Sequence, residues 1–121
     1  MTPSPRRYRQ KKDRASDLQR KFVRMHECAL WNNPISPCDI DHPIEPAHYR
    51  TAANSGAGYK PGDEWLLPLC RAHHREQHQI GQHAFEQRYG ISMRDLALAY
   101  ARESPDREIR ERAKALAQEL T

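Results

Sequence analysis

From Ser16 onward the apolar residues recur at helical spacing in short stretches, and segments bearing proline and glycine separate them. Leu18, Phe22 and Met25 fall at i, i+4 and i+7, and Ser16 stands where a helix cap is wanted. The pattern predicts a short amphipathic helix over 17–27, running into Cys28. "CALWNNPISPCDIDHP" (28–43) is broken by Pro34, Pro37 and Pro43 and reads as an irregular loop between two cysteines. "IEPAHYR" predicts a short strand, "TAANSGAGYKPGD" a glycine-rich loop, and "EWLLPL" a second strand leading into Cys70. Arg71 to Gln79 reads as helix. Gly81 interrupts it before a second piece that ends at Tyr89, with Gly90 as its cap. Ser92 caps a helix over 93–102 holding Leu96 and Tyr100. Pro105 opens the last helix, 105–120, where Ile109, Ala113, Leu116 and Leu120 form one stripe suited to core packing.

These elements predict a small α+β protein in three parts: a basic, disordered arm over 1–15, a domain over 16–90, and a helical extension over 91–121 packed on that domain. At 121 residues, with 37% hydrophobic and 30% charged residues, the chain is too short to bury a large core unaided, and something else is expected to brace it. No apolar run approaches the roughly 20 residues that cross a bilayer, and no apolar leader stands at the N-terminus. The expectation is a cytoplasmic protein. No internal repeat and no glycine-rich phosphate loop is present.

Charge is unevenly placed. Residues 1–24 carry +7 and the remainder −3, for a total of +4. A basic arm of this kind releases counterions from phosphates and binds nucleic acid without reading its sequence. A solvated tail that aids solubility accounts for the charge equally well.

The candidate chemistry sits in "PLCRAHHREQH" (68–78), with one cysteine and three histidines in eleven residues. His74 and His78 are one helical turn apart and can converge on a single ion. His73 points elsewhere, because adjacent helical residues diverge by roughly 100°. It lies three residues after Cys70 and shares a face with it. The helix therefore begins with two half-sites back to back, which predicts two metals. The first needs two more soft ligands, and Cys28 and Cys38 are the other cysteines in the chain; His26 is a reserve in place of His73. A Cys3His set is a structural zinc arrangement, closed and tetrahedral, whose binding energy offsets a small core. The gap between Cys28 and Cys38 is longer than the usual spacing of two to four. The second half-site has no thiol and suits a catalytic divalent metal with open positions. Hydrolysis then needs a base, and His48, at the end of the first predicted strand, is the candidate.

A strand ending in histidine ("PAHYR"), a loop, a second strand, then "LC" and a helix with paired histidines resembles the ββα-metal core of HNH endonucleases. The arrangement "AHYR…GYKPGDEW…PLCRAHHREQH…G…F" is similar, more narrowly, to phage-associated HNH proteins of the Ref-type recombination-enhancement and YbcO-like group. The resemblance covers residues 28 to about 90. It implies that His48 is the general base, that His74 and His78 hold the catalytic metal, and that Cys28, Cys38, Cys70 and His73 fill the four structural-zinc positions. Two departures stand out. Ala47 occupies the place where many members carry an Asp or His ligand, leaving Asp41, His42, Glu45, water or the scissile phosphate to complete the site. Trp65 stands where the central asparagine is usual, and Asp63 is the candidate for its bracing role.

The reading that follows is a metal-dependent DNA endonuclease with a structural Zn2+ and a catalytic Mg2+, Mn2+, Ni2+ or Zn2+. Its partners are DNA, bound without sequence preference, and recombination proteins. Phosphate contacts are expected from Arg6, Arg7, Arg9, Lys11, Lys12, Arg50 and Lys60. The alternative is a zinc-stabilised nucleic-acid-binding accessory module with a degenerate nuclease site.

Overall fold

The structure, a computed structural model, describes residues 15–51 and 61–118. Helix α1 (Asp17–Arg24) is followed by an irregular segment and strand β1 (Glu45–His48). A 3-10 turn (Asp63–Trp65) feeds strand β2 (Leu66–Leu69). Helices α2 (Arg71–Ile80), α3 (Gln82–Tyr89), α4 (Met93–Arg102) and α5 (Arg107–Gln118) complete the order. This is a small α+β arrangement built on a two-stranded antiparallel sheet. The basic arm through residue 14, Lys60 and Leu120 lie outside the described residues. Among the described residues no helix is long and apolar enough to cross a membrane.

The two strands pair Glu45 with Leu69, Pro46 with Pro68, Ala47 with Leu67 and His48 with Leu66. The Tyr49 amide donates to the Trp65 carbonyl at 2.9 Å, one step beyond the strands. Bonded and non-bonded pairs alternate in an antiparallel ladder. Tyr49/Trp65, Ala47/Leu67 and Glu45/Leu69 are thus the bonded pairs, and the two prolines face each other at a non-bonded pair. They cost the ladder nothing there. The outward-facing Pro68 carbonyl is free to accept from the Ala29 amide at 2.8 Å, which ties the irregular segment to β2 two residues before Cys70.

Helix termini follow local sequence. Ser16, Cys70 and Ser92 cap α1, α2 and α4, each with its side chain accepting from the amide three residues on. Gly90 takes the left-handed conformation (φ 64°) that ends α3. Helix α1 is shorter than the 17–27 the sequence predicts, and it is turned. Gln19 and Val23 are buried, whereas Leu18 and Met25 of the expected stripe are exposed. The cause is polar: the Ser16 amide and the Arg20 guanidinium both bond buried Asp63, and this fixes which side of α1 meets the sheet.

Among the described residues two apolar groups form the core. One joins Cys28, Leu30 and Cys70 to Leu67, Leu69, Phe85 and Met93. The other sets Trp65 against Leu98, Ala101, Ile109 and Ala113, so α4 and α5 pack over the 3-10 turn. On α4 the buried face carries Met93, Ala97, Leu98 and Ala101 rather than Leu96 and Tyr100, which are half-buried.

Candidate functional site

Cys70 ends β2 and opens α2, so its thiol is fixed by both elements. Its sulfur receives the His73 amide at 3.5 Å and the Asp39 amide at 3.4 Å. The Cys28 sulfur receives the Leu30 amide at 3.4 Å. His73, one turn into α2, faces inward and is buried. Its Nδ1 lies 3.7 Å from the sulfurs of Cys28 and Cys38 and 3.1 Å from that of Cys70. All four donor atoms fall within 4.8 Å of one another. Nitrogen and sulfur donors at tetrahedral positions around one zinc-sized ion are about 3.6 Å apart. The donor set and its spacing therefore fit a bound metal such as zinc.

The electrostatics suit a closed metal site. Burial lowers the His73 imidazole, which keeps it neutral and leaves a lone pair for coordination. Burial raises the thiol of Cys28. It also raises Cys38, where the neighbouring Cys28 adds to the effect, to about 12. Cys28 and Cys38 thus resist ionisation until a cation neutralises their thiolates. His26, the reserve ligand, is engaged elsewhere: its Nδ1 is 2.8 Å from the Phe22 carbonyl, and its ring stacks edge-on with Tyr100.

The second half-site lies on the adjoining face of α2. His74 Nε2 and His78 Nε2 are 3.3 Å apart, within the span of about 3.0–3.4 Å for two nitrogens on one first-row ion. Glu45 Oε1 is 2.8 Å from His74 Nδ1. A carboxylate there accepts a hydrogen bond from Nδ1–H and leaves the Nε2 lone pair free to serve as a ligand. Glu45 thus meets His74 through the ring nitrogen away from His78, as an orienting group. Strand alternation sets Glu45 on the same face as Ala47. Partial burial, then His74 and Arg50, push the His78 imidazole down. His42 is remote from this pair in its bonding: it contacts Asp39 at 2.9 Å, and the Asp41 amide donates to the same Asp39 side chain.

His48 comes to α2 through its backbone. The Gln77 side chain, between His74 and His78 in sequence, donates from Nε2 to the His48 carbonyl at 3.1 Å. The His48 ring is mostly buried, with Nε2 3.1 Å from Asp63 Oδ1. Asp63 also accepts from the Ser16 amide at 2.6 Å and from Arg20 Nε at 2.9 Å. Burial by itself would raise the Asp63 carboxyl, but the bonds from His48, Arg20 and Ser16 outweigh it and hold it below its ordinary value. Trp65 is a packing residue, its ring 5.6 Å from that of Tyr49.

Arg50 is exposed, and Gln82 clamps its backbone: the Arg50 amide donates to Gln82 Oε1 at 2.7 Å, and Gln82 Nε2 donates to the Arg50 carbonyl at 2.6 Å. Arg6, Arg7, Arg9, Lys11, Lys12 and Lys60 are outside the described residues. Sequence reasoning passed over Gln77, Gln82, Ser16 and Arg20 as site residues. Gln77 carried a usable signal, since it follows His73 by four and so shares its inward face.

No protein-family model matches the chain, and no solved structure matches it. A curated relative, "Uncharacterized protein YdfU" of Escherichia coli (strain K12), is 33% identical over 73 residues. That match covers 60% of this chain and 18% of the relative, so the chain spans less than a fifth of the length of the protein it matches.

Proposed function

We propose that the chain is a metal-dependent endonuclease of the HNH type, hydrolysing DNA phosphodiester bonds on a ββα-metal core braced by a structural zinc at Cys28, Cys38, Cys70 and His73. The observation that carries this reading is the placement of three histidines. His48 closes β1 and is bonded to α2 at Gln77, and His74 and His78 point their Nε2 atoms at one another from the same helix. A thiol-free imidazole pair converging on one face of a helix is a poor structural site and a suitable hydrolytic one. Held by His74 and His78, a divalent ion (Mg2+, Mn2+, Ni2+ or Zn2+) would polarise the scissile phosphate and stabilise the leaving oxygen. His48 takes a proton from the attacking water as the new oxygen–phosphorus bond forms and the ester bond to the leaving oxygen breaks. Glu45 fixes the orientation of His74, and Arg50 offers a cation for the phosphate backbone. DNA held without sequence preference is the substrate class, and a role beside recombination proteins of phage origin accords with the family resemblance.

The reading is tested by nicking of supercoiled and single-stranded DNA, using protein stripped by chelator, reloaded with zinc and then supplied with Mg2+, Mn2+ or Ni2+. Metal-dependent cleavage is expected, with a loss of at least a hundredfold in His48→Ala while zinc content and DNA binding stay near wild type. A His48→Ala protein that cuts normally sinks the assignment. The second reading, an accessory DNA-binding module, draws on fully buried Ala47, which offers no ligand where many HNH enzymes have one. Salt-sensitive DNA binding without cleavage by folded, zinc-loaded wild type would select it.

A further inference from the structure

We infer that Asp63 is the positioning residue of His48: it holds the imidazole in the tautomer with hydrogen on Nε2, leaving Nδ1 bare, and is itself fixed by the Ser16 amide and Arg20. The role in catalysis rests on the nuclease reading above; the tautomer does not.

Donor and acceptor roles around Asp63 fix the tautomer. Asp63 is 1% exposed, and its two oxygens have three partners. Oδ2 accepts from the Ser16 amide at 2.6 Å and from Arg20 Nε at 2.9 Å; Oδ1 faces Arg20 Nη2 at 3.3 Å and His48 Nε2 at 3.1 Å. A backbone amide and a guanidinium can only donate, and beside the Arg20 cation the Asp63 carboxyl is held below its ordinary value, so it meets them ionised. An ionised carboxylate has no proton to give, and the 3.1 Å contact is a hydrogen bond only if His48 Nε2 carries the hydrogen. A neutral imidazole with hydrogen on Nε2 has its lone pair on Nδ1, and Nδ1 is then the atom able to accept a proton.

The anchoring explains the cost of burying this carboxylate. Burial opposes its charge, and the bonds from His48, Arg20 and Ser16 together keep it ionised. Ser16 is held in turn, its hydroxyl donating to Asp106 Oδ2 at 2.5 Å just ahead of α5. Four segments distant in sequence (the start of α1, the end of β1, the 3-10 turn and the approach to α5) thus converge on one ring orientation. Packing alone does not account for the arrangement, since an apolar residue at 63 would fill the space without a buried charge. A carboxylate behind an imidazole sets both its tautomer and its angle, and loss of such a partner in a base-dependent hydrolase costs up to about 10^4 in rate.

The deciding experiment is long-range 1H–15N correlation on 15N-labelled, zinc-loaded full-length protein at neutral pH, which reports the protonated nitrogen of each histidine. Wild type is expected to show His48 with hydrogen on Nε2 and bare Nδ1, and Asp63→Ala a mixture of tautomers. His48 with hydrogen on Nδ1 in wild type overturns the inference without recourse to any variant. So does an unchanged tautomer in a folded Asp63→Ala protein. Asp63→Asn, which keeps the shape and one acceptor oxygen, guards against unfolding. It is expected to retain zinc, to lower the cleavage rate at saturating DNA at least tenfold, and to shift the DNA concentration for half-maximal rate less than threefold. Equal loss in both quantities would mark Asp63 as a merely structural residue. Absence of cleavage in wild type sinks the nuclease reading, and the spectra judge the tautomer separately.

Discussion

Asp63 illustrates how one buried charge organises its surroundings. Arg20 supplies two of its contacts while remaining partly open to water, with 38% of its side chain exposed. The carboxyl's folded-state value lies below the usual 3.8. A depressed carboxyl stabilises the fold above its unfolded value, and that contribution is lost as pH falls through the lower folded value. Arg20→Ala removes the cation and moves the folded value upward. The variant is expected to lose about 1.5–3 kcal/mol at neutral pH and to unfold in acid at a higher pH than wild type, measured by urea melts and a circular-dichroism pH titration. An unchanged acid midpoint would show that Ser16 and His48 suffice to hold Asp63.

At the scale of elements, α1 shows polar tethering prevailing over apolar periodicity. Leu18, Phe22 and Met25 mark the stripe that periodicity favours, yet the bonds from Ser16 and Arg20 to Asp63 turn Gln19 and Val23 inward. The Gln19 side chain is fully buried, and neither of its amide atoms has a hydrogen-bond partner among the described residues. An unsatisfied buried amide costs about 1–3 kcal/mol. Gln19→Leu, close in volume, is expected to raise stability by about 1–2 kcal/mol, read as a higher denaturant midpoint at unchanged slope. Destabilisation would reveal a partner for the amide. Helix α2 is the contrasting case. Its inner face (His73, Gln77) and outer face (His74, His78) were legible from spacing, because helical geometry fixes those directions whatever the surroundings.

At the scale of the molecule, the cysteine cluster lies inside the main core. Cys28 and Cys70 pack with Leu67, Leu69 and Phe85, so metal binding and folding are expected to be coupled. Chelation should lower the thermal midpoint by more than 10 °C, and Cys70→Ser should do the same without chelator, both read by calorimetry. Retention of a folded, metal-loaded domain by Cys70→Ser would refute the structural role. Metal uptake also displaces protons, since burial raises Cys28 and raises Cys38 to about 12 in the metal-free protein. Titration calorimetry in two buffers of different ionisation heat is expected to show more than one proton released per ion at pH 7, and affinity that tightens as pH rises. No release would place the thiolates in the metal-free state.

Local chemistry was readable from the chain alone. Caps at Ser16 and Ser92, the stop at Gly90, the pairing of Cys70 with His73 and the separate face of His74 and His78 all depend on spacing or on residue type over a few positions. Such features are settled by backbone geometry within one or two turns. Tertiary structure decided what crosses the fold. It brought Cys28 and Cys38 to within bonding reach of one ion with Cys70 and His73, gave Glu45 to His74 as an orienting carboxylate, and joined Asp63 to His48, Arg20 and Ser16. Those partners are 15 to 47 residues apart in sequence, and no periodicity encodes a meeting across such distances. It comes from strand register and from the need of each buried polar group for a partner.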